Sequence, residues 1–416
     1  MFLMEQKKHP TSHVVIGNDA GDADSIISAI TLAFIESFYG NKYATPVISI
    51  AMNEFINRRP EVNLLFRLAG LQDMTNDLLF IEDLRTMINA SSSLKFTLVD
   101  HNTFNPALSP HTDDQSIIEI VDHHNDEGAF LDTCYGENRS IAFSEGVALV
   151  ASTCTLVAER LKSLCTYCQY NESLATLLLG VILIDSVGFD DSIGKVTQRD
   201  RNAAKDLIEH TNWKVSASKS YIVINSHGDA TVDTGILFDA LQKAKYEMSF
   251  WESMTVKDAL SYDYKGFQGD LGNFGIASIL MSGSDVVAKD SFTLETEEFM
   301  NTHHISFLAI MFAFYDEESD DLLKRQLAFC ADEFIDLDHL VNYILSFQAY
   351  SMAKLDLNEV NGLSYRQNGD LQLYLFDQKN IQLSRKQIGP LLEVVYESYL
   401  ESSQADRNSV RKRRRR

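Results

Sequence analysis

The first half of the chain alternates short β-rich runs with helical patterns, and that alternation restricts it to a mostly parallel sheet flanked by helices. His13-Val14-Val15-Ile16-Gly17, Pro46-Val47-Ile48-Ser49-Ile50, Leu78-Leu79-Phe80-Ile81, Phe96-Thr97-Leu98-Val99 and Ile117-Ile118-Glu119-Ile120-Val121 are apolar runs of strand length. Helix-like stretches cover 25–38 and 61–68, and two more, 152–162 and 174–184, follow the last strand. Around 211–234 the periodicity weakens and Asn, Ser, His, Gly and Asp gather, so a domain boundary is expected there. Beyond it, apolar runs at 273–280, 304–314 and 371–376, with helical patterns near 336–347 and 385–400, read as a smaller α+β domain. The expected organisation is an α/β domain over 12–212, an α+β domain over 235–401 and a basic tail, 402–416, without fixed structure.

Length agrees with two domains, because 416 residues exceed what one ordinary core organises. The net charge of -23 argues against broad nucleic-acid binding, which needs a basic surface to displace phosphate counterions. It leaves a phosphate substrate open, since metal ions and a few Lys or Arg side chains can invert the potential inside one cleft. Five cysteines, an odd count, and a start without a long apolar core predict a reduced, cytoplasmic setting. The run Arg411-Lys412-Arg413-Arg414-Arg415-Arg416 adds the expectation of nuclear import or polyanion binding. No run reaches the roughly 18–20 apolar residues of a membrane span.

In open α/β sheets ligands collect beyond the carboxyl ends of the strands, and acidic clusters fall there. One strand leads into Asn18-Asp19-Ala20-Gly21-Asp22-Ala23-Asp24-Ser25, another into Asp100-His101-Asn102, a third into Asp122-His123-His124, and the apolar run through Ile184 ends in Asp185. Asp22 and Asp24, two apart in a Gly-containing loop, can both turn toward one site. Two metal ions about 3.5–4 Å apart held by such groups would lower the pKa of a bridging water and clamp phosphoryl oxygens. Singly each piece has a structural reading: Asp-x-Asp is usually a capped turn, His-His usually surface or core. Their conjunction at strand ends is what points to chemistry.

These motifs, with Leu98-Val99-Asp100-His101-Asn102, Val121-Asp122-His123-His124 and Ile184-Asp185-Ser186 in order, resemble the DHH phosphoesterase superfamily. The second half resembles its DHHA2 domain through Asp263-Tyr264-Lys265-Gly266-Phe267, Gly275-Ile276-Ala277-Ser278 and Asn380-Ile381-Gln382-Leu383-Ser384-Arg385-Lys386-Gln387-Ile388-Gly389-Pro390. That ending resembles the pyrophosphatase, exopolyphosphatase and prune-like branch, and the G-G-G-H motif of the nuclease branch is missing. Asn18 stands where bacterial-type pyrophosphatases carry a histidine, as in the eukaryotic exopolyphosphatase and prune group. His124 differs from the Asp-His-Arg typical of prune-like proteins, so the chain is most similar to eukaryotic exopolyphosphatases.

The resemblance implies that Asp22, Asp24, Asp100, His123 and Asp185 hold two divalent metal ions, Mg²⁺ or Mn²⁺, with Asp100 and Asp185 bridging. It implies that His124 acts on the phosphate together with Arg385 and Lys386, that Lys195 is a further phosphate contact, and that Asp122 supports the histidines. The implied activity is release of terminal orthophosphate from inorganic polyphosphate, with closure between the domains excluding water. Inorganic pyrophosphatase and a prune-like regulatory protein with weak hydrolysis are the alternatives. Neither a nucleic-acid partner nor a membrane is expected, and the oligomeric state is left open. Cys165-Thr166-Tyr167-Cys168 and His303-His304 are read as structural, and Arg58-Arg59-Pro60-Glu61, which resembles a family feature but suits a structural role equally, is left out of the site.

Overall fold

A computed structural model describes residues 1–71, 74–90, 93–104, 116–216, 219–269, 271–316, 322–348, 354–360, 366–368 and 371–414. The chain divides into two compact units, Met1–Lys245 and Tyr246–Arg416.

In the first unit β1 (His13–Ile16), β2 (Thr45–Val47), β3 (Lys95–Val99), β4 (Ile117–Asp122) and β5 (Arg139–Ile141) form a parallel sheet in the order β2-β1-β3-β4-β5. Because side chains alternate along a strand, Val15, Val99 and Val121 face one core while Val14, Ile16, Phe96, Leu98 and Ile120 face another. α1 (Phe2–Lys8), α2 (Ala23–Phe38), α3 (Met52–Arg58) and α4 (Pro60–Leu68) come early; α5 (Ile81–Ala90) covers the second face through Leu84 and Ile88. α6 (Thr153–Leu164), α7 (Glu172–Asp185), α8 (Gln198–Glu209) and α9 (Thr234–Lys245) complete the unit, with hairpins β6–β7 (Phe143–Ser144, Val147–Ala148) and β8–β9 (Ile222–Ile224, Ala230–Val232).

The helix α7 is buried at every position from Leu174 to Ile184. An all-round apolar helix must be enclosed, and α2, α4, α6, α8 and α9 surround it. Each buried Leu or Ile contributes about 1.5–3 kcal/mol by leaving water. α9 packs on α4 and α7, which carries the first unit to Lys245. One expected strand is not formed: within 78–81 only Phe80 makes a bridge, to Ile48, because Asp83 Oδ2 caps the Phe80 amide at 2.9 Å and α5 starts at Ile81. Cys165, at the end of α6, lies beside Cys168, with a Cα separation of 5.5 Å.

The second unit holds β10 (Tyr264–Gln268), β11 (Asn273–Ile279), β12 (Phe307–Asp316), β13 (Leu322–Ala331), β14 (Leu357–Glu359), β15 (Arg366–Asn368) and β16 (Leu371–Gln378). They form a mixed sheet, β10-β11-β12-β13-β16-β14, with β15 also on β16; β11 and β12 run parallel and the other pairs antiparallel. α10 (Met248–Ser253), α11 (Val256–Tyr262), α12 (Gly283–Val287) and α13 (Phe292–Thr302) supply residues to the core on one face, α14 (Leu337–Gln348) and α15 (Arg385–Arg414) to the core on the other. The fold is thus a parallel α/β unit followed by a smaller mixed α+β unit. The tail expected without structure is instead helical to Arg414, there being no Gly or Pro after Pro390 to stop α15. His303 packs against the rings of Tyr264 and Phe299, both at 4.3 Å, in the structural role expected of it. Among the described residues no helix is long and apolar enough to cross a membrane.

The passage from β1 into α2 is the tightest backbone approach near the acidic loop. A Cβ at Gly17 would lie 2.6 Å from Ser25 Cβ and 2.7 Å from Ser25 O, so only glycine fits. Gly17→Ala is expected to lose about 1–3 kcal/mol of stability through overpacking, read by urea unfolding; a variant as stable as wild type would show that the approach is not needed.

Candidate metal centre

Asp24 begins at the N-terminal end of one helix and ends in the N-terminus of another. Asp22 caps α2 by accepting Ser25 N–H at 3.0 Å, which sets Asp24 in the first turn. Its carboxylate, buried to 4% exposure, accepts Ser152 Oγ–H at 2.6 Å, Thr153 N–H at 2.7 Å and Cys154 N–H at 3.0 Å. Ser152 is the cap of α6, so the free amides of that helix face an anion. Burial nevertheless pushes the Asp24 carboxyl up to about 7, and the Asp100 charge acts in the same sense against the pull of His123.

Asp100 follows β3 with φ +63, a left-handed backbone that non-glycine residues seldom adopt. The turn places its buried carboxylate under Ser25 Oγ–H at 2.7 Å, Asn18 Nδ2–H at 2.8 Å and Thr153 Oγ1–H at 3.3 Å. Asn18 Oδ1 accepts the amides of Ala20 and Gly21 at 3.0 and 3.3 Å. Both ends of that amide therefore organise the loop and Asp100. The loop is also held from behind by the buried Arg59, whose Nε–H donates to Gly21 O at 2.6 Å and whose Nη2–H donates to Ala20 O.

Asp122, at the end of β4, is fully buried. Its Oδ1 accepts His123 N–H at 2.7 Å, and Asn102 Nδ2–H donates to Oδ2 at 2.6 Å. Burial works to raise its carboxyl, but His124, His123 and Asn102 outweigh this and hold it well below the usual carboxylate range. His123 Nδ1 lies 3.1 Å from Val150 O, a contact in which Nδ1–H donates to the carbonyl and Nε2 is left on the opposite edge of the ring. Nε2 then faces Asp24 Oδ2 at 3.5 Å and Asp100 Oδ1 at 3.4 Å. His124 Nδ1 lies 2.8 Å from Asp122 Oδ1 and 3.5 Å from Asp100 Oδ1, while its side chain keeps 32% exposure.

Asp100, His123 and His124 offer ligand atoms that all lie within 4.8 Å of one another. Two buried carboxylates around an imidazole nitrogen are a donor set that fits a divalent cation, which would offset the like-charge repulsion that raises Asp24. Of the other expected residues, Asp22 acts electrostatically on Asp24, and Asp185, ending α7, acts with Asp24 on the buried Cys154 thiol, which burial pushes up first. Lys195 lies half-buried after the left-handed Gly194, between α7 and α8. Arg385 and Lys386 open α15 in the second unit, where Arg385 Nη1–H donates to Asp263 Oδ1 at 2.6 Å.

Sequence reasoning passes over Ser152, Thr153 and Arg59, which hold Asp24 and the loop without being candidate ligands. A Ser-Thr pair at a helix start was visible as a cap; what it caps was not. Arg59 was left out of the site, and its two bonds to the carbonyls of the acidic loop are a structural role.

Residues 12–184 match the DHH family, N-terminal domain, and residues 239–395 match the DHHA2 domain. The chain has the DHH–DHHA2 domain architecture. It is homologous to eukaryotic PRUNE1-like exopolyphosphatases. One is the protein named Exopolyphosphatase PRUNE1 from Rattus norvegicus, 28% identical over 397 residues that cover 94% of this chain and 76% of the relative. A manganese-dependent inorganic pyrophosphatase from Methanothrix thermoacetophila is 24% identical over 311 residues, covering 74% of this chain and 83% of that protein. The crystal structure of a Methanococcus jannaschii protein described as a family II inorganic pyrophosphatase superposes with a TM-score of 0.55 at 20% identity, covering 92% of this chain and 99% of that one. That likeness is one of fold. The chain is therefore a DHH/DHHA2 phosphoesterase-superfamily protein with a candidate metal cluster at Asp100, His123 and His124.

A carboxyl raised by folding binds more protons in the native state than unfolded, so between about pH 4 and pH 7 its contribution to stability falls as pH rises. Asp24 is such a group. In metal-free protein, thermal melting of wild type is expected to lose more stability over that window than melting of Asp24→Asn, and Mn²⁺ should recover most at the upper end. Equal pH slopes for the two proteins would sink this reading of Asp24.

Proposed function

We propose that the chain is a two-metal phosphoanhydride hydrolase that releases terminal orthophosphate from inorganic polyphosphate. The observation that carries this is the division of labour between adjacent histidines. His123 is buried with Nε2 turned toward Asp24 and Asp100, whereas His124 is oriented by Asp122 and stays accessible. Asp22, Asp24, Asp100, His123 and Asp185 would hold two Mg²⁺ or Mn²⁺ ions, which supply an activated water and neutralise phosphoryl oxygens.

The remaining chemistry belongs to the chain. Asp122 keeps a proton on His124 Nδ1 and favours the imidazolium, so the opposite edge of the ring can donate to the leaving phosphate as negative charge builds on it. Arg385 grips phosphate oxygens with a planar fork and Lys386 acts as a mobile point charge at the start of a helix. Lys195 adds a further cation. Asp24 and Asp100 arrive already oriented by six donors, so little reorganisation is needed when a phosphoryl group is bound.

Inorganic pyrophosphate is the second substrate reading, favoured by the homology to the Methanothrix thermoacetophila enzyme. Phosphate release from pyrophosphate, tripolyphosphate and long-chain polyphosphate, with Mg²⁺ or Mn²⁺, separates the two. Long or intermediate chains are expected to be preferred, Asp100→Ala to abolish turnover, and His124→Ala to lower kcat by about 10²–10⁴-fold. Absence of phosphate release by wild type, or an active Asp100→Ala, overturns the hydrolase reading; a strong preference for pyrophosphate replaces the substrate.

A further inference from the structure

Asp200 lies outside every motif named so far, yet its carboxylate is fully buried in the first turn of α8. It accepts Thr197 N–H and Thr197 Oγ1–H, both at 2.8 Å on Oδ2, closing the cap of its own helix. The same carboxylate reaches the start of α6. Ala151 N–H lies 3.0 and 3.1 Å from its two oxygens, and Thr155 Oγ1–H donates to Oδ1 at 2.6 Å.

Between those two anchor points the chain turns its other polar groups toward the metal centre. Val150 O accepts His123 Nδ1–H, Ser152 Oγ–H, Thr153 N–H and Cys154 N–H donate to Asp24, and Thr153 Oγ1–H donates to Asp100. Residues 150–155 thus have Asp200 on one side and three candidate ligands on the other. A carboxylate suits this place because it is acceptor-only on both oxygens. An asparagine of the same shape would turn an NH₂ against N–H and O–H donors.

We propose that Asp200 is the positioning residue of the metal centre, fixing residues 150–155 and through them the His123 ring and the carboxylates of Asp24 and Asp100. It touches neither substrate nor metal. The inference rests on the metal-hydrolase reading for its catalytic consequence, while the positioning itself is a property of the metal-free protein.

Two readouts test it in the full-length protein. The first is Mn²⁺ affinity, from the electron paramagnetic resonance of free Mn²⁺, for wild type, Asp200→Asn and Asp206→Asn. Asp206 is the fitting control: it is also a buried acid of α8, but it accepts Tyr170 Oη–H at 2.7 Å and pairs with Lys162 at 2.8 Å, away from the centre. Residues behind metal ligands typically change affinity about 10–100-fold; that loss is expected for Asp200→Asn, with Asp206→Asn unchanged. The second readout is the ¹⁵N imidazole spectrum of metal-free protein, in which the His123 Nδ1 signal should match wild type in Asp206→Asn and shift in Asp200→Asn as Val150 O moves away from it.

Unaltered Mn²⁺ affinity in Asp200→Asn, or an equal loss in Asp206→Asn, overturns the proposal. Should Asp200→Asn fail to fold by circular dichroism, Thr155→Val removes a single donor; a smaller loss of affinity in the same direction supports the proposal and none overturns it. If wild type binds no Mn²⁺ at all, the metal-hydrolase reading fails, and the imidazole spectra then decide the positioning claim alone: an unshifted His123 Nδ1 signal in Asp200→Asn defeats it.

Discussion

Burying a carboxylate without partners costs several kcal/mol, and among those buried in the first unit Asp24, Asp100, Asp122 and Asp200 belong to one connected set of hydrogen bonds. Everything around them reads as an answer to that cost. The N-terminal amides of α6 face Asp24, the hydroxyls of Ser25 and Thr153 face Asp100, and Asn102 with the backbone of His123 faces Asp122. Desolvation still raises Asp24, and the Asp100 charge nearby adds to it. A divalent cation would offset both negative charges, which is why the donor set suits a metal centre.

The same electrostatic setting separates two histidines adjacent in sequence. One ring is enclosed and its Nδ1 is committed to a backbone carbonyl; the other meets an ionised aspartate on one edge and solvent on the opposite one. A buried neutral imidazole suits a metal, and a solvent-facing imidazole backed by a carboxylate suits proton or hydrogen-bond donation to an anion. Identical side chains are thus given different tasks by what lies behind them.

Structure of the second unit rests on different physics. Its sheet is covered on both faces by aromatic-rich cores, and half-buried Arg385 and exposed Lys386 lie at the start of α15. Arg385 is already paired with Asp263.

Sequence alone determined the alternating α/β first half, the α+β second half, the strand-end positions of Asp100, Asp122 and His123, the place of Asp22 and Asp24 after β1 and that of Asp185 at the end of an apolar run, since these depend on local periodicity and on motif order. It misjudged 78–81, where a helix cap at Asp83 ended a strand after one bridge, and the end of α15, where no local signal distinguishes a helix from an unstructured basic tail. Only the tertiary structure decided which donors hold each carboxylate, that Asn18 organises the loop through both ends of its amide, and that Arg59 and Asp200 brace the centre. Those contacts join residues 128 and 49 positions apart, as Ser152 to Asp24 and Ala151 to Asp200 do. A hydrogen bond of that range leaves no periodic trace in the chain, because it exists only after the helices have packed.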